Sequence, residues 1–151
     1  MNGRILGVDP GEKRIGVAVS DPLGMTAAPL RVLNHVSRAV DAAGVAQLAA
    51  EQGAVLIVIG QPLDESGLGE SPEARRAARF AEAVRAQTDL PVILWDESMS
   101  TSDARDIRRS MGVSRRKRSG HLDDLAAAVI LQSYLDAHYS SGDPPQIGTS
   151  S

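Results

Sequence analysis

Cysteine is absent from the 151-residue chain, which excludes a disulfide framework and any thiolate-bound metal and fits a reducing compartment. Aromatic residues make up only 3%, leaving few rings on which unpaired bases could stack, so a protein that coats single strands is disfavoured. No apolar run approaches the roughly 20 residues that a membrane-spanning helix needs. No apolar signal region precedes the first strand either, since Met1-Asn2-Gly3-Arg4 leads almost directly into it. The expectation is a cytoplasmic protein with no membrane partner. His35, His121 and His138 lack the paired spacing of a zinc site and read as surface or capping residues. Any metal would therefore be a hard cation on oxygen ligands. With 42% hydrophobic and 23% charged residues, the composition is that of an ordinary globular protein. The length suits one domain, expected over residues 1–139, with residues 140–151 as a disordered tail with little to bury.

The organising stretch runs from Ile5 to Asp21, ILGVDPGEKRIGVAVSD. Two apolar runs, Ile5 to Val8 and Ile15 to Val19, suit strands buried on both faces. The connection from Pro10 to Arg14 reads as a hairpin turn in which Pro10 fixes φ and Gly11 tolerates a positive φ. Asp9 then ends the first strand beside the turn. Taken alone it reads as a turn-capping residue; in company it could be a metal ligand or catalytic acid.

Further along, Pro29 to Leu33 predicts a third strand at the sheet edge. Ser37 to Gln52 predicts an amphipathic helix with Gly53 as its C-cap. Ala54 to Ile59 predicts a central parallel strand that opens through Gly60 into a loop ending near Glu70. Ser71-Pro72-Glu73 starts a second helix ending near Gln87, and Pro91 to Trp95 is a further strand. This order of strands and helices implies an α/β fold with parallel crossovers. Ala104 to Met111 reads as a short helix, Val113 to Gly120 as a loop, and His121 to His138 as a long final helix whose first turn holds Asp123 and Asp124. First-turn acids complement the helix dipole, which is the plain explanation for that pair.

Three acidic positions stand at element ends: Asp9, Glu97 after the last strand, and Asp123 or Asp124. Brought together, their charge would be intolerable without a cation, whereas one or two Mg²⁺ ions would be held by such carboxylates. Two hard ions about 4 Å apart can clamp and hydrolyse a phosphodiester. The net charge of −3 conceals a basic segment made of Arg105, Arg108, Arg109, Arg115, Arg116, Lys117 and Arg118, seven of the 16 basic residues. Such a patch suits the backbone of a nucleic acid that the acidic site alone would repel.

Four motifs carry a resemblance: GVDPGEKRIGVAVSD at Gly7 to Asp21, VIGQPL at Val58 to Leu63, DESMSTSDAR at Asp96 to Arg105, and HLDDLAAAVILQSYL at His121 to Leu135. In that order they resemble the YqgF/RuvX family of the ribonuclease H-like superfamily, which is associated with Holliday-junction resolution and pre-16S rRNA processing. The opening hairpin by itself is less specific, because sugar kinases and actin-like ATPases begin similarly, but those need two lobes. The resemblance implies a ribonuclease H-like α/β fold, a five-stranded mixed sheet in order 3-2-1-4-5 flanked by helices. It implies a Mg²⁺- or Mn²⁺-dependent endonuclease with Asp9, Glu97 and Asp123 as catalytic metal ligands. Arg14 matches the family's RIG element and is weighed evenly between a surface ion pair and a phosphate contact. The chain departs from the family at Ser98, where an Arg is usual, losing one positive group beside the acids. Expected partners are precursor rRNA or a four-way DNA junction, with a homodimer if the substrate is the symmetric junction. The alternative is a non-catalytic nucleic-acid-binding or ribosome-assembly module.

Overall fold

The computed structural model describes residues 3–63, 71–97 and 119–139, with the backbone alone described at 119–124 and 139. Five strands, β1 (Arg4–Pro10), β2 (Arg14–Ser20), β3 (Ala27–Asn34), β4 (Ala54–Gln61) and β5 (Val92–Asp96), form one sheet in the order β3-β2-β1-β4-β5. The hairpin pairs β1 with β2 antiparallel, and β3 returns antiparallel along β2 as the edge. On the other side β4 lies parallel to β1, and β5 parallel to β4. The implied mixed five-stranded sheet is the one found.

Helices α1 (Arg38–Gln52) and α2 (Pro72–Arg85) link these strands. α1 starts where expected because the Ser37 hydroxyl accepts from Val40 N–H, and it stops because Gly53 takes a left-handed φ of 66°. Ser71 caps α2 in the same way, ahead of Pro72 in the first turn. The pleat of the central strands divides the core in two. Leu6, Val8, Ile57 and Ile59 face α1 and α2, whereas Ile5, Leu56 and Val58 face the last helix, α3 (Ser119–Tyr139).

How closely α3 approaches is decided at Gly7. A Cβ there would lie 2.6 Å from Leu131 Cβ and 3.3 Å from the Ala127 carbonyl oxygen, so only glycine leaves room for the helix backbone. The direction of α3 follows from its contacts. Gln132 brackets the start of β3, its Oε1 accepting from Ala27 N–H at 2.9 Å and its Nε2 donating to the Met25 carbonyl at 3.0 Å. Ala27 pairs with Ser20, whose hydroxyl accepts from Ile5 N–H, so this contact marks the level where β1 begins. Residues 127 and 131 meet Gly7, two residues further on. α3 therefore runs antiparallel to β1, with its earlier residues toward the Asp9 end.

Two expectations change. Gly11 does not occupy the left-handed region; among the described residues the positive-φ glycines are Gly24 and Gly53. Gly11 is needed for space instead, because a Cβ on it would lie 2.4 Å from the Arg14 carbonyl oxygen across the turn. The final helix begins at Ser119, not His121, which moves Asp123 and Asp124 out of its first turn. The dipole fades within that turn, so simple dipole electrostatics no longer accounts for the pair. The expected loop end near Glu70, the short helix at 104–111, most of the basic loop and the tail at 140–151 lie outside the described residues.

The Gly7 contact makes a prediction. Gly7→Ala should lower stability by about 1–3 kcal/mol, the usual cost of forcing a methyl group into a packed core, read as a lower urea midpoint at unchanged slope. A midpoint equal to that of the unaltered chain would mean that α3 does not seat on β1 as described.

Candidate acidic site at the strand ends

β1, β4 and β5 run in the same direction, so their C-terminal ends gather at one edge of the sheet, where open α/β sheets place functional groups. Asp9, half-buried, lies on the Gly7 face of β1, the face that α3 covers. It pairs across the hairpin with Gly16. Arg14 stands two residues from Gly16 on the same face of β2, which makes it a diagonal neighbour of Asp9. That placement puts a guanidinium-bearing residue beside the carboxylate.

On the far side of β4 the pleat separates Asp96 from Glu97. Val92 and Leu94 face α1 and α2, and Asp96 follows them in phase. Ile93 and Trp95 face α3, and Glu97 follows those. The Glu97 side chain leans back over Gly60: a Cβ on Gly60 would lie 2.9 Å from Glu97 Oε1 and 2.7 Å from Ile130 Cδ1. Gly60 pairs with Trp95, and it follows Ile59, which pairs with Val8. Gly60 therefore lies between the two acids, and its missing side chain leaves the space that the Glu97 carboxylate uses.

The third expected acid reaches this edge by its backbone. Position 123 lies one helical turn ahead of Ala127, whose carbonyl oxygen lies against Gly7, and α3 points toward the Asp9 end of β1. Position 124, three residues before Ala127, lies on the same stripe. The Asp123 and Asp124 carboxylates are outside the described side chains, and among the described residues no three ligating side chains form a metal cluster. Arg105, Arg108, Arg109, Arg115, Arg116, Lys117, Arg118 and Ser98 are likewise outside the described residues. The histidines with described side chains have local partners. His35 Nδ1 is 2.5 Å from Asp41 Oδ2, and His138 Nδ1 is 2.8 Å from the Tyr134 carbonyl. At the base of the site Tyr134 packs edge-on against Trp95, with ring centroids 5.3 Å apart, and its burial raises the phenol pKa above the ordinary value.

Gly7 and Gly60 were not among the expected site residues, yet both shape the site. Their signal in the sequence was a glycine interrupting an otherwise apolar buried strand.

Comparison with known proteins agrees with this architecture. The family model RuvX, described as Holliday junction resolvase, matches residues 3–137. A protein of Syntrophus aciditrophicus named "Putative pre-16S rRNA nuclease" is 46% identical over 134 residues, covering 89% of each chain. A protein of the same name from Geobacillus kaustophilus is 46% identical over 138 residues, covering 89% of this chain and 98% of that one. Among solved structures, T. thermophilus RuvC in complex with a Holliday junction substrate superposes with a TM-score of 0.57 at 16% identity, covering 95% of this chain and 99% of that one. The yeast mitochondrial Holliday junction resolvase Ydc2 gives a TM-score of 0.51 at 14% identity, covering 89% and 78%. At these identities the two structures speak for the fold alone.

Gly60→Ala is the sharpest test of the site's construction. The atoms it would crowd are ends of flexible side chains, so stability should change by no more than about 1 kcal/mol, while the Glu97 carboxylate must move. Mn²⁺ affinity, measured by calorimetry, should fall at least about 10-fold, as when the support of a metal ligand is lost. Unchanged affinity would separate Glu97 from any metal site.

Proposed function

Because this chain belongs to the RuvX family, we propose that it is a divalent-metal-dependent nuclease hydrolysing phosphodiester bonds in structured nucleic acid, either the 5′ end of pre-16S rRNA or a four-way DNA junction. The observation that supports this reading is the placement of Asp9 and Glu97 on one face of the sheet edge, on either side of a glycine whose absent Cβ makes room for a carboxylate. The donor set fits a hard cation: carboxylate oxygens, no cysteine, and, among the described residues, histidines His35 and His138 that have partners elsewhere.

In this reading Asp9, Glu97 and Asp123 hold Mg²⁺ or Mn²⁺. When bound, such ions supply Lewis-acid stabilisation of the charge that builds up on the phosphate during hydrolysis. The chain's own groups do the rest. Arg14, diagonal to Asp9, offers a planar fork that suits a phosphate oxygen pair. The basic residues from Arg105 to Arg118 recruit the polyanion through its backbone, so binding depends on salt and shape more than on sequence. With 3% aromatic residues the chain has few rings for base stacking, which agrees with backbone recognition.

The deciding experiment is cleavage of a precursor 16S rRNA transcript and of a four-way DNA junction with Mg²⁺ or Mn²⁺. Asp9→Asn and added chelator should each reduce the rate by more than about 100-fold, beyond the loss typical of a residue that only supports a metal ligand. Asp9→Asn should fold normally and gain stability, because it relieves repulsion between carboxylates. Metal-independent cleavage, or full activity of Asp9→Asn, rejects the assignment; nucleic-acid binding without cleavage points to a ribosome-assembly or binding module.

A second comparison separates the neighbouring acids of α3. Asp123→Asn should abolish cleavage, whereas Asp124→Asn should keep most activity. The reverse order of severity in the same cleavage assay makes Asp124 the ligand.

A further inference from the structure

On the face of the sheet opposite the acidic edge lies a cleft of about 390 Å³ between the β1–β2 turn and the N-terminal parts of α1 and α2. Pro10, Gly11 and Glu12 form its near wall, Ile15 and Phe80 its apolar floor, and His35, Arg38 and Arg76 its polar rim. Pro10 is the residue after Asp9 in β1, so the cleft begins at the next position of the strand, on the face opposite the candidate catalytic carboxylate.

The chemistry of the rim favours an anion. Arg76 Nε is buried without a hydrogen-bond partner, a costly state for a charged donor. Its other end makes only a loose ion pair, Nη1 lying 3.7 Å from Glu12 Oε1, and the Glu12 side chain is 78% exposed. Arg38 is exposed at the start of α1. Of the two acids present, Asp41 is 4% exposed and committed to His35 Nδ1 and Val36 N–H. Among the described residues Glu12 alone competes for the arginines, from a solvated position that an incoming anion can displace.

We propose that this cleft is a subsite for a backbone phosphate of the nucleic-acid substrate, flanking the scissile one, with Arg76 and Arg38 as its cationic contacts and Ile15 and Phe80 supporting the adjoining sugar. This rests on the nuclease reading above and adds the course of the substrate to it: the strand crosses the sheet edge over the Pro10-Gly11 turn. Taking the roughly 10 Å spacing of packed layers as the distance across the sheet edge, and about 3.4 Å per nucleotide, the phosphate held is about three nucleotides from the cleavage point.

The test uses the full chain in EDTA, so that binding is read without cleavage, with fluorescently labelled four-way DNA junction and precursor 16S rRNA transcript as probes. Replacing both arginines (Arg38→Ala with Arg76→Ala) should weaken binding of the preferred probe about 10-fold, as for loss of charge-assisted hydrogen bonds. It should also make the log affinity against log salt slope shallower by about 0.7–0.9 units, the share of one neutralised phosphate. Arg76→Lys, which keeps the charge but not the fork, should recover the slope and only part of the affinity. Glu12→Gln should tighten binding. Ethylation of single phosphates should interfere at a position about three nucleotides from the cleavage point in the unaltered chain and not in the double variant. If the unaltered chain binds neither probe, in EDTA or with Ca²⁺ added, the nuclease reading falls and this proposal with it. If it binds and the double variant matches it in affinity and slope, the subsite alone is overturned. Adenosine monophosphate, titrated while the Arg38 and Arg76 side-chain signals are followed by NMR, separates the two sources of phosphate. Displacement by the nucleic acid supports the proposal, and binding that the nucleic acid leaves untouched makes the cleft a free-nucleotide site and overturns it.

Discussion

The site depends on a steric fact at Gly7: the backbone of α3 lies against β1 at a distance that no side chain permits. A helix packed on a sheet is usually held off by the side chains of both partners. Here Ala127 and Leu131 meet a strand position with no Cβ, and the flanking positions facing α3 on β2, Gly16 and Ala18, are also small. The close approach buries the apolar stripe of Ala127, Ile130, Leu131, Tyr134 and Leu135. It also sets the height at which α3 passes the strand ends, and so where its earlier turns arrive relative to Asp9.

The same device recurs at Gly60, where the missing Cβ makes room for Glu97 and Ile130. Carboxylates gathered at a strand end repel one another, and a protein can keep them there only by giving each a defined place. The sheet does so with geometry. Parallel β1, β4 and β5 bring their ends to one edge, the pleat turns Glu97 toward α3 and Asp96 away from it, and the hairpin places Arg14 diagonal to Asp9. The fold thus fixes where Asp9 and Glu97 stand before any ligand arrives.

The two faces of the sheet serve different ends. One is closed by α3 and carries the acids at its edge. The other is closed by α1 and α2 over Leu6, Val8, Ile57 and Ile59, and near the β1–β2 turn it leaves a cleft with arginines on its rim. Asp9 and Pro10 are consecutive residues on alternate faces, so the acidic edge and the cleft adjoin across the β1–β2 turn.

Much of this was determined by the sequence itself. The apolar runs from Ile5 to Val19, the cap at Ser37, the left-handed stop at Gly53 and the Ser71-Pro72 start of α2 are local signals, because turns, caps and buried strands depend on nearby residues. The four motifs likewise pointed to the strand order and to the acids. Other features were decided only by the tertiary structure. The facing of α3 was unreadable because the helix is apolar around most of its circumference. Leu122, Leu125, Ala126 and Val129 looked as good a stripe as the one that Ala127, Leu131 and Leu135 bury. The reason Gly11 must be glycine, space beneath the Arg14 carbonyl and not a left-handed φ, required the turn itself. The unpartnered Arg76 guanidinium nitrogen beside Phe80 and Arg38 was invisible for the same reason. Periodicity records what one segment prefers, whereas a close approach or a cleft belongs to segments distant along the chain, and only their packing brings those together.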